Sequence, residues 1–374
     1  MTLRRIAVVA LLGLVGFLPG QSTVAQPACD ANFRPLATFD MRGIDTPIGI
    51  GALGDEIWAM ASTYSGNGNY RIFGHHFDGQ TWTEIPEPQP SGDFLGYHAK
   101  VDETGTVWVV GERFTEEGEE HFVLRWNGDQ WEEMDLPQLG AGGRLIAIEV
   151  VSPTDVWAVG AYIETEESFE RGVILHYDGS AWSVSRTIHQ TWSELYDVSF
   201  SAPNEGWVSG SGYWRDRLLR WDGSSWTRTD YPRKEGHDRL IQIGAVESVS
   251  PTRAWAAARV EIGGGPPDAR ILKWNGTRWR KVDIVDPRGS EGNYDLDSNA
   301  NGVWTVGGRW VERHWEPWGM VNAGSGWKRV GVDPIDDEER FTGVVASPEG
   351  RVLAIGSVYI DRQQKLTVAE ACWS

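Results

Sequence analysis

Cysteine is nearly absent from this chain: 374 residues carry two, Cys29 and Cys372, one near each end. That excludes a disulfide-dense scaffold and a thiolate metal cluster. Eight histidines are scattered without the spacing of a metal site, so the sequence implies no metal and no cofactor. Basic charge is also scarce. Lys plus Arg total 34 against 53 Asp plus Glu, a net charge of −19, which argues against nucleic acid or an anionic membrane as partner. Nucleophile, base and acid side chains form no motif above background, so no catalytic residue is assigned.

Long apolar runs are missing too, apart from Ile6 to Leu18, which is too short to span a bilayer. With Arg4 and Arg5 before it and Thr23-Val24-Ala25 after it, residues 1–25 read as a secretory signal. The expectation is one domain over 26–374, secreted or periplasmic, without membrane insertion. A retained anchor and a lipoprotein signal ending at Cys29 are the alternatives, and Gln26-Pro27-Ala28 lacks the usual Leu for the latter. The twin Arg also admits export in the folded state.

What the chain has in abundance is Trp, in a repeat. Trp58, Trp108, Trp157, Trp207, Trp255 and Trp304, with Leu353 as a seventh, recur at intervals of 50, 49, 50, 48, 49 and 49. A second signature follows each of the first six: FDGQTW (77–82), WNGDQW (126–131), YDGSAW (177–182), WDGSSW (221–226), WNGTRW (274–279) and a degraded NAGSGW (322–327). Asn-Gly or Asp-Gly between apolar runs predicts a two-residue type I′ hairpin at Asn127-Gly128, Asp178-Gly179, Asp222-Gly223 and Asn275-Gly276. Trp126 and Trp131 should then be diagonal neighbours on one sheet face. Upstream, Ser152-Pro153-Thr154-Asp155 and its counterparts place Pro in a type I turn and mark an earlier hairpin.

Each unit is therefore four antiparallel strands, and such sheets repeating every 40 to 50 residues predict an all-β fold, a seven-bladed β-propeller. The last unit lacks its fourth strand. Phe33 lies one period, 49 residues, before Trp82, so residues 33 to 39 should complete the seventh blade and close the seam. Cys29 and Cys372 would then meet in a disulfide, the alternatives being free thiols or a bridge between chains.

The apolar strand ending in Gly, then a strand running into Tyr/Trp-Asp/Asn-Gly and a Trp strand ending near Pro (WEEMDLP, 131–137), resembles kelch and galactose-oxidase-type blades. The kelch glycine doublet survives only as Gly307-Gly308, and Gly111, Gly160, Gly210 and Gly356 stand alone. The FDGQTW turns are similar to a shortened sialidase Asp-box. These resemblances imply a fold. They carry over no catalytic residue: galactose oxidase would imply copper and a Tyr–Cys cross-link, and both cysteines here sit at the ends of the chain.

Sixteen of the 21 Trp fill repeat positions, which leaves Trp192, Trp214, Trp310, Trp315 and Trp318. All five fall in connections expected on one face, with His314 among the last three. Together they predict a face that binds a protein or glycan, on a monomer that is not an enzyme, or else rings that pack on neighbouring loops to close the channel mouth. The alternative is a secreted carbohydrate-active hydrolase at the channel mouth, drawing on Tyr97, His98, Glu194, His237, Asp238, Glu291 or Arg340. Asp297 to Gly302 imitates the start of a calcium loop, but its twelfth position is Gly308, and it reads as a turn. The acidic runs Glu116 to Glu120 and Glu164 to Glu167 read as solvated loops, or as a site for cations or a basic partner.

Overall fold

The computed structural model describes residues 32–40, 43–64, 69–89, 93–116, 118–165, 168–190, 192–211, 217–232, 234–235, 238–262, 268–282, 290–312, 314–333 and 339–371. Cys29, Cys372, Trp214 and His237 lie outside the described residues, as do the side chains of Asp238 and Glu291. The described residues contain strands and no helix. After β1 (Asn32–Asp40), a four-stranded antiparallel sheet comprises β2 (Ile44–Leu53), β3 (Glu56–Tyr64), β4 (Tyr70–Phe77) and β5 (Trp82–Ile85). The next comprises β6 (Asp93–Val101), β7 (Val107–Thr115), β8 (Gly118–Trp126) and β9 (Trp131–Glu133). Then come β10 (Gly142–Ser152), β11 (Asp155–Ile163), β12 (Arg171–Tyr177) and β13 (Trp182–Thr187), followed by β14 (Glu194–Ala202), β15 (Glu205–Ser211), β16 (Arg217–Trp221) and β17 (Trp226–Arg228). The short β18 (Lys234–Glu235) joins β19 (Asp238–Ser250), β20 (Arg253–Ile262), β21 (Asp268–Trp274) and β22 (Trp279–Val282).

The remaining strands are β23 (Ser290–Asn299), β24 (Gly302–Val311), β25 (His314–Asn322), β26 (Trp327–Val332), β27 (Glu339–Ala346), β28 (Val352–Ile360) and β29 (Gln363–Ala371). They form one sheet ordered β23-β24-β25-β26-β1-β29-β28-β27. Within it β1 runs antiparallel to β29, from Phe33 opposite Ala371 to Asp40 opposite Lys365, and touches β26 in parallel at Asn32 and Phe33. The first strands of successive units, β2, β6, β10, β14, β19, β23 and β27, each contact the next, and β27 contacts β2.

The Gly that ends most second strands answers to a close approach. In β11 a Cβ on Gly160 would stand 2.1 Å from the carbonyl oxygen of Arg144, because the inner strand bulges between Leu145 and Ala147 at that point. Gly111 faces the same obstacle 2.0 Å away, at the oxygen of Leu95.

The Asp/Asn-Gly turns differ from expectation. Tyr177 pairs directly with Trp182, leaving a four-residue loop in which Gly179 has a φ of 89° and Asp178 is not left-handed, so the turn is not type I′. Asp178 Oδ1 accepts the N–H groups of Ser180 and Ala181 at 2.9 and 3.0 Å, a local bond that competes successfully with the tighter turn. The Ser180 hydroxyl, then the Ala181 and Ser180 N–H groups, hold the Asp178 carboxyl down to about 2. Trp126 and Trp131 are likewise directly opposite, not diagonal, with ring centroids 5.5 Å apart.

This hairpin receives the first-signature Trp of the preceding unit. Trp207 meets Trp274 and Trp279 at 5.0 and 4.8 Å, Trp157 meets Trp221 and Trp226 at 5.2 and 5.6 Å, and Trp255 meets Trp327 at 5.2 Å. Trp304 finds Phe33 of β1 instead, at 6.4 Å. The two signatures are the halves of one contact between neighbouring sheets.

Candidate functional site

The inner strands have backbone groups that their own sheets do not satisfy, and polar side chains one period upstream satisfy them. Asp197 Oδ2 accepts Val246 N–H at 2.7 Å, Asp295 Oδ2 accepts Val344 N–H at 2.8 Å and Asp297 Oδ2 accepts Ala346 N–H at 2.8 Å. Ser199 Oγ accepts Ser248 N–H at 2.9 Å, and His98 Nδ1 accepts Ile148 N–H at 3.2 Å. Burial keeps His98 neutral, its pKa pushed down to about 3. His98 is thus structural in its contacts.

All seven inner strands line an axial cavity of about 180 Å³, with Tyr97, Lys100, Tyr196, Asp197 and Asp295 among its walls. Burial raises Asp197 and Glu247 well above the usual carboxylate range and takes Asp295 up to about 6. Lys100, 3.6 Å from Glu149, is pulled down by burial, but Glu149, Asp297, Asp295 and Glu247 outweigh that and hold it protonated. Glu247 accepts the hydroxyls of Ser199 at 2.9 Å and Ser298 at 2.5 Å. These acids are committed to holding strands together.

At the end of the cavity where second strands finish and third strands begin, Tyr97 donates its hydroxyl to Glu112 at 2.6 Å. Burial raises both pKa values, and the acids Glu119 and Glu170 raise Glu112 further. Arg144 sits between Glu194 at 2.6 Å and Glu170 at 2.9 Å. Glu170 ties this cluster to an aromatic pair. Its carbonyl accepts Ser193 N–H at 3.1 Å, and the flanking Phe169 and Trp192 stack at 4.4 Å with 28° between their planes. Both rings face solvent, 48% and 52% exposed. Trp192 has a φ of 58°, a region L-residues with bulky side chains rarely enter.

Of the residues expected to bind, Trp192 is therefore exposed beside the mouth, and Trp310, His314, Trp315 and Trp318 gather elsewhere. The segment from Trp310 to Trp318 is not a loop. Strands β24 and β25 continue to a tight tip where Val311 pairs with His314 and Glu312 has a φ of 47°. Trp310 and Trp315 pair across it with rings 5.4 Å apart, and Arg340 lies 5.8 Å from the Trp315 ring. Arg309 Nε and His314 Nε2 approach Glu316 at 2.8 and 3.3 Å, along a groove of about 590 Å³. Trp318 corrects the expectation: it is 6% exposed and belongs to the core cluster with Trp255, Met320 and Trp327, since it points to the neighbouring sheet.

Sequence reading passed over Phe169, Glu112, Arg144 and Glu170. Arg144 and Glu194 were findable, because opposite charges 50 residues apart in a 49-residue repeat fall on adjacent inner strands. Phe169 follows an acidic loop and carries no such signal. Replacing Trp318 with Ala should cost about 3–5 kcal/mol, as for a buried aromatic, while Trp310→Ala, with its ring 45% exposed, should cost about 1 kcal/mol or less. Chemical denaturation of the two variants checks this.

No protein-family model and no curated protein matches the chain. Solved structures do. YCF48 from Cyanidioschyzon merolae aligns with 16% identity over 88% of this chain and 97% of its own, at a TM-score of 0.54. The β-propeller domain of the Trilobed protease from Pyrococcus furiosus aligns with 10% identity over 87% and 95%, at 0.53. The GH74 xyloglucanase from Xanthomonas campestris aligns with 16% identity over 89% of this chain and 55% of its own, at 0.51. At these identities the likeness concerns the fold alone, and the fold is a β-propeller.

Proposed function

We propose that this chain is a seven-bladed, monomeric binding propeller, exported from the cytoplasm, that recognises a protein or glycan at the mouth formed around Tyr97, Arg144 and Trp192. Seven blades are supported by the circle of contacts from β2 through β27 and back to β2, and seam closure by the β1–β29 ladder. Residues 1–25 support export. Cys29 and Cys372 follow from strand ends that pair at Phe33 and Ala371, which favours a bridge across the seam. That bridge requires no free thiol in the unfolded, unreduced mature protein, and a count of two would refute it.

The stacked pair carries the binding reading. Two aromatic faces held out in solvent offer a large contact area for few rotors. Holding Trp192 at positive φ costs on the order of 1–3 kcal/mol, and the stack on Phe169 offsets only part of it, since the ring is half exposed. The blade-six surface, with Trp310, His314 and Trp315, is a second candidate contact of the same binding function, and Trp214 stays a candidate by sequence.

One observation favours a hydrolase at the same mouth: Glu112 is buried, raised in pKa and hydrogen-bonded to Tyr97. A glycosidase needs a second carboxylate across open space, and Arg144 already engages Glu194. The test is a glycan and peptide array probed with the wild type, Trp192→Ala and Trp192→Gly. Array signals should fall at least tenfold in both variants, and Trp192→Gly should melt no lower than wild type because glycine relieves the strain. Unchanged signals, or a variant that unfolds, would contradict the reading, and turnover in a parallel hydrolase screen would favour the enzyme.

A further inference from the structure

The charge around the aromatic pair is one-sided. Glu119 and Glu170 act on Glu112 across the mouth, and Arg144 is the cation held between Glu170 and Glu194. The arginines of β7 and β12 nearest the two connections are already neutralised: Arg113 lies 2.6 Å from Glu120 and 2.7 Å from Glu133, and Arg171 lies 2.7 Å from Glu164. His121 adds no charge, because burial pushes it down to about 4. By sequence the same two connections also hold Glu116, Glu117, Glu166 and Glu167. Behind them the cavity wall carries Asp197 and Asp295 together with the protonated Lys100.

Aromatic faces attract cations through the ring quadrupole, and they do so most where neighbouring carboxylates repel every anionic competitor. We infer that the Phe169–Trp192 pair receives an arginine or lysine side chain from a basic segment of a protein partner. The inference rests on the binding reading of the mouth and names its ligand. A planar guanidinium lies flat on Trp192, as arginine does on exposed rings elsewhere.

The experiment is fluorescence anisotropy with a short labelled glycine–serine peptide carrying two arginines, beside a twin in which citrulline replaces both. The arginine peptide should bind at moderate salt and the citrulline twin at least tenfold more weakly. Trp192→Leu keeps the apolar contact but loses the quadrupole, so it should weaken the arginine peptide about threefold or more at unchanged melting temperature. Equal binding of the twin, or an unaffected Trp192→Leu variant, would overturn the inference and leave only diffuse charge. So would Trp192-dependent binding of a chito-oligosaccharide without binding of the peptide. Array ligands that depend on Trp192 but lack a cation would sink this inference and leave the mouth as a binding site; no Trp192-dependent ligand at all would sink both.

Discussion

The tryptophan on the second strand of each of the first six units packs against the unit that follows. It is buried against the aromatic hairpin of the next unit, as Trp207 is by Trp274 and Trp279, and losing such a ring costs about 3–5 kcal/mol. A single four-stranded sheet therefore cannot be stable alone, and each must be followed by another. Contacts of the same kind join the last sheet to the start of the chain: Leu353 packs in a cluster with Phe73 of the first sheet, and Phe33 meets Trp304.

The same one-period logic governs the polar interior. Lys100 faces Glu149, Arg144 faces Glu194, and Asp197 reaches the backbone of Val246. The aspartates with raised pKa values in the cavity would suggest chemistry if read alone. Their hydrogen bonds say otherwise, since each holds the edge of the following inner strand. Exposed at the mouth are the rings of Phe169 and Trp192, beside the cluster of Arg144, Glu170 and Glu194.

Much of this architecture was legible in the sequence because a period converts position into contact. The Trp spacing, the lone glycines and the pairing of residues 33 to 39 with the last strand all follow from it. The turns were misread because an Asp side chain that bonds two N–H groups makes a four-residue loop as favourable as the type I′ turn that Asp-Gly suggests. The stretch from Trp310 to Trp318 was misread because it departs from the repeat, and with no counterpart in other units its Trp residues could not be sorted into core and surface. Trp192 was found as an outlier. Its partner Phe169 was not, since only the folded connection brings them together.

The ring account stands most directly on Phe33, which is fully buried against Trp304 and Phe341, whereas Leu36 on the same strand is 40% exposed. Equilibrium unfolding of Phe33→Ala should show a loss of about 3–5 kcal/mol, the value for a core aromatic, with Leu36→Ala within about 1 kcal/mol of wild type. A Phe33→Ala protein as stable as the Leu36→Ala protein would mean that the N-terminal strand does not close the ring.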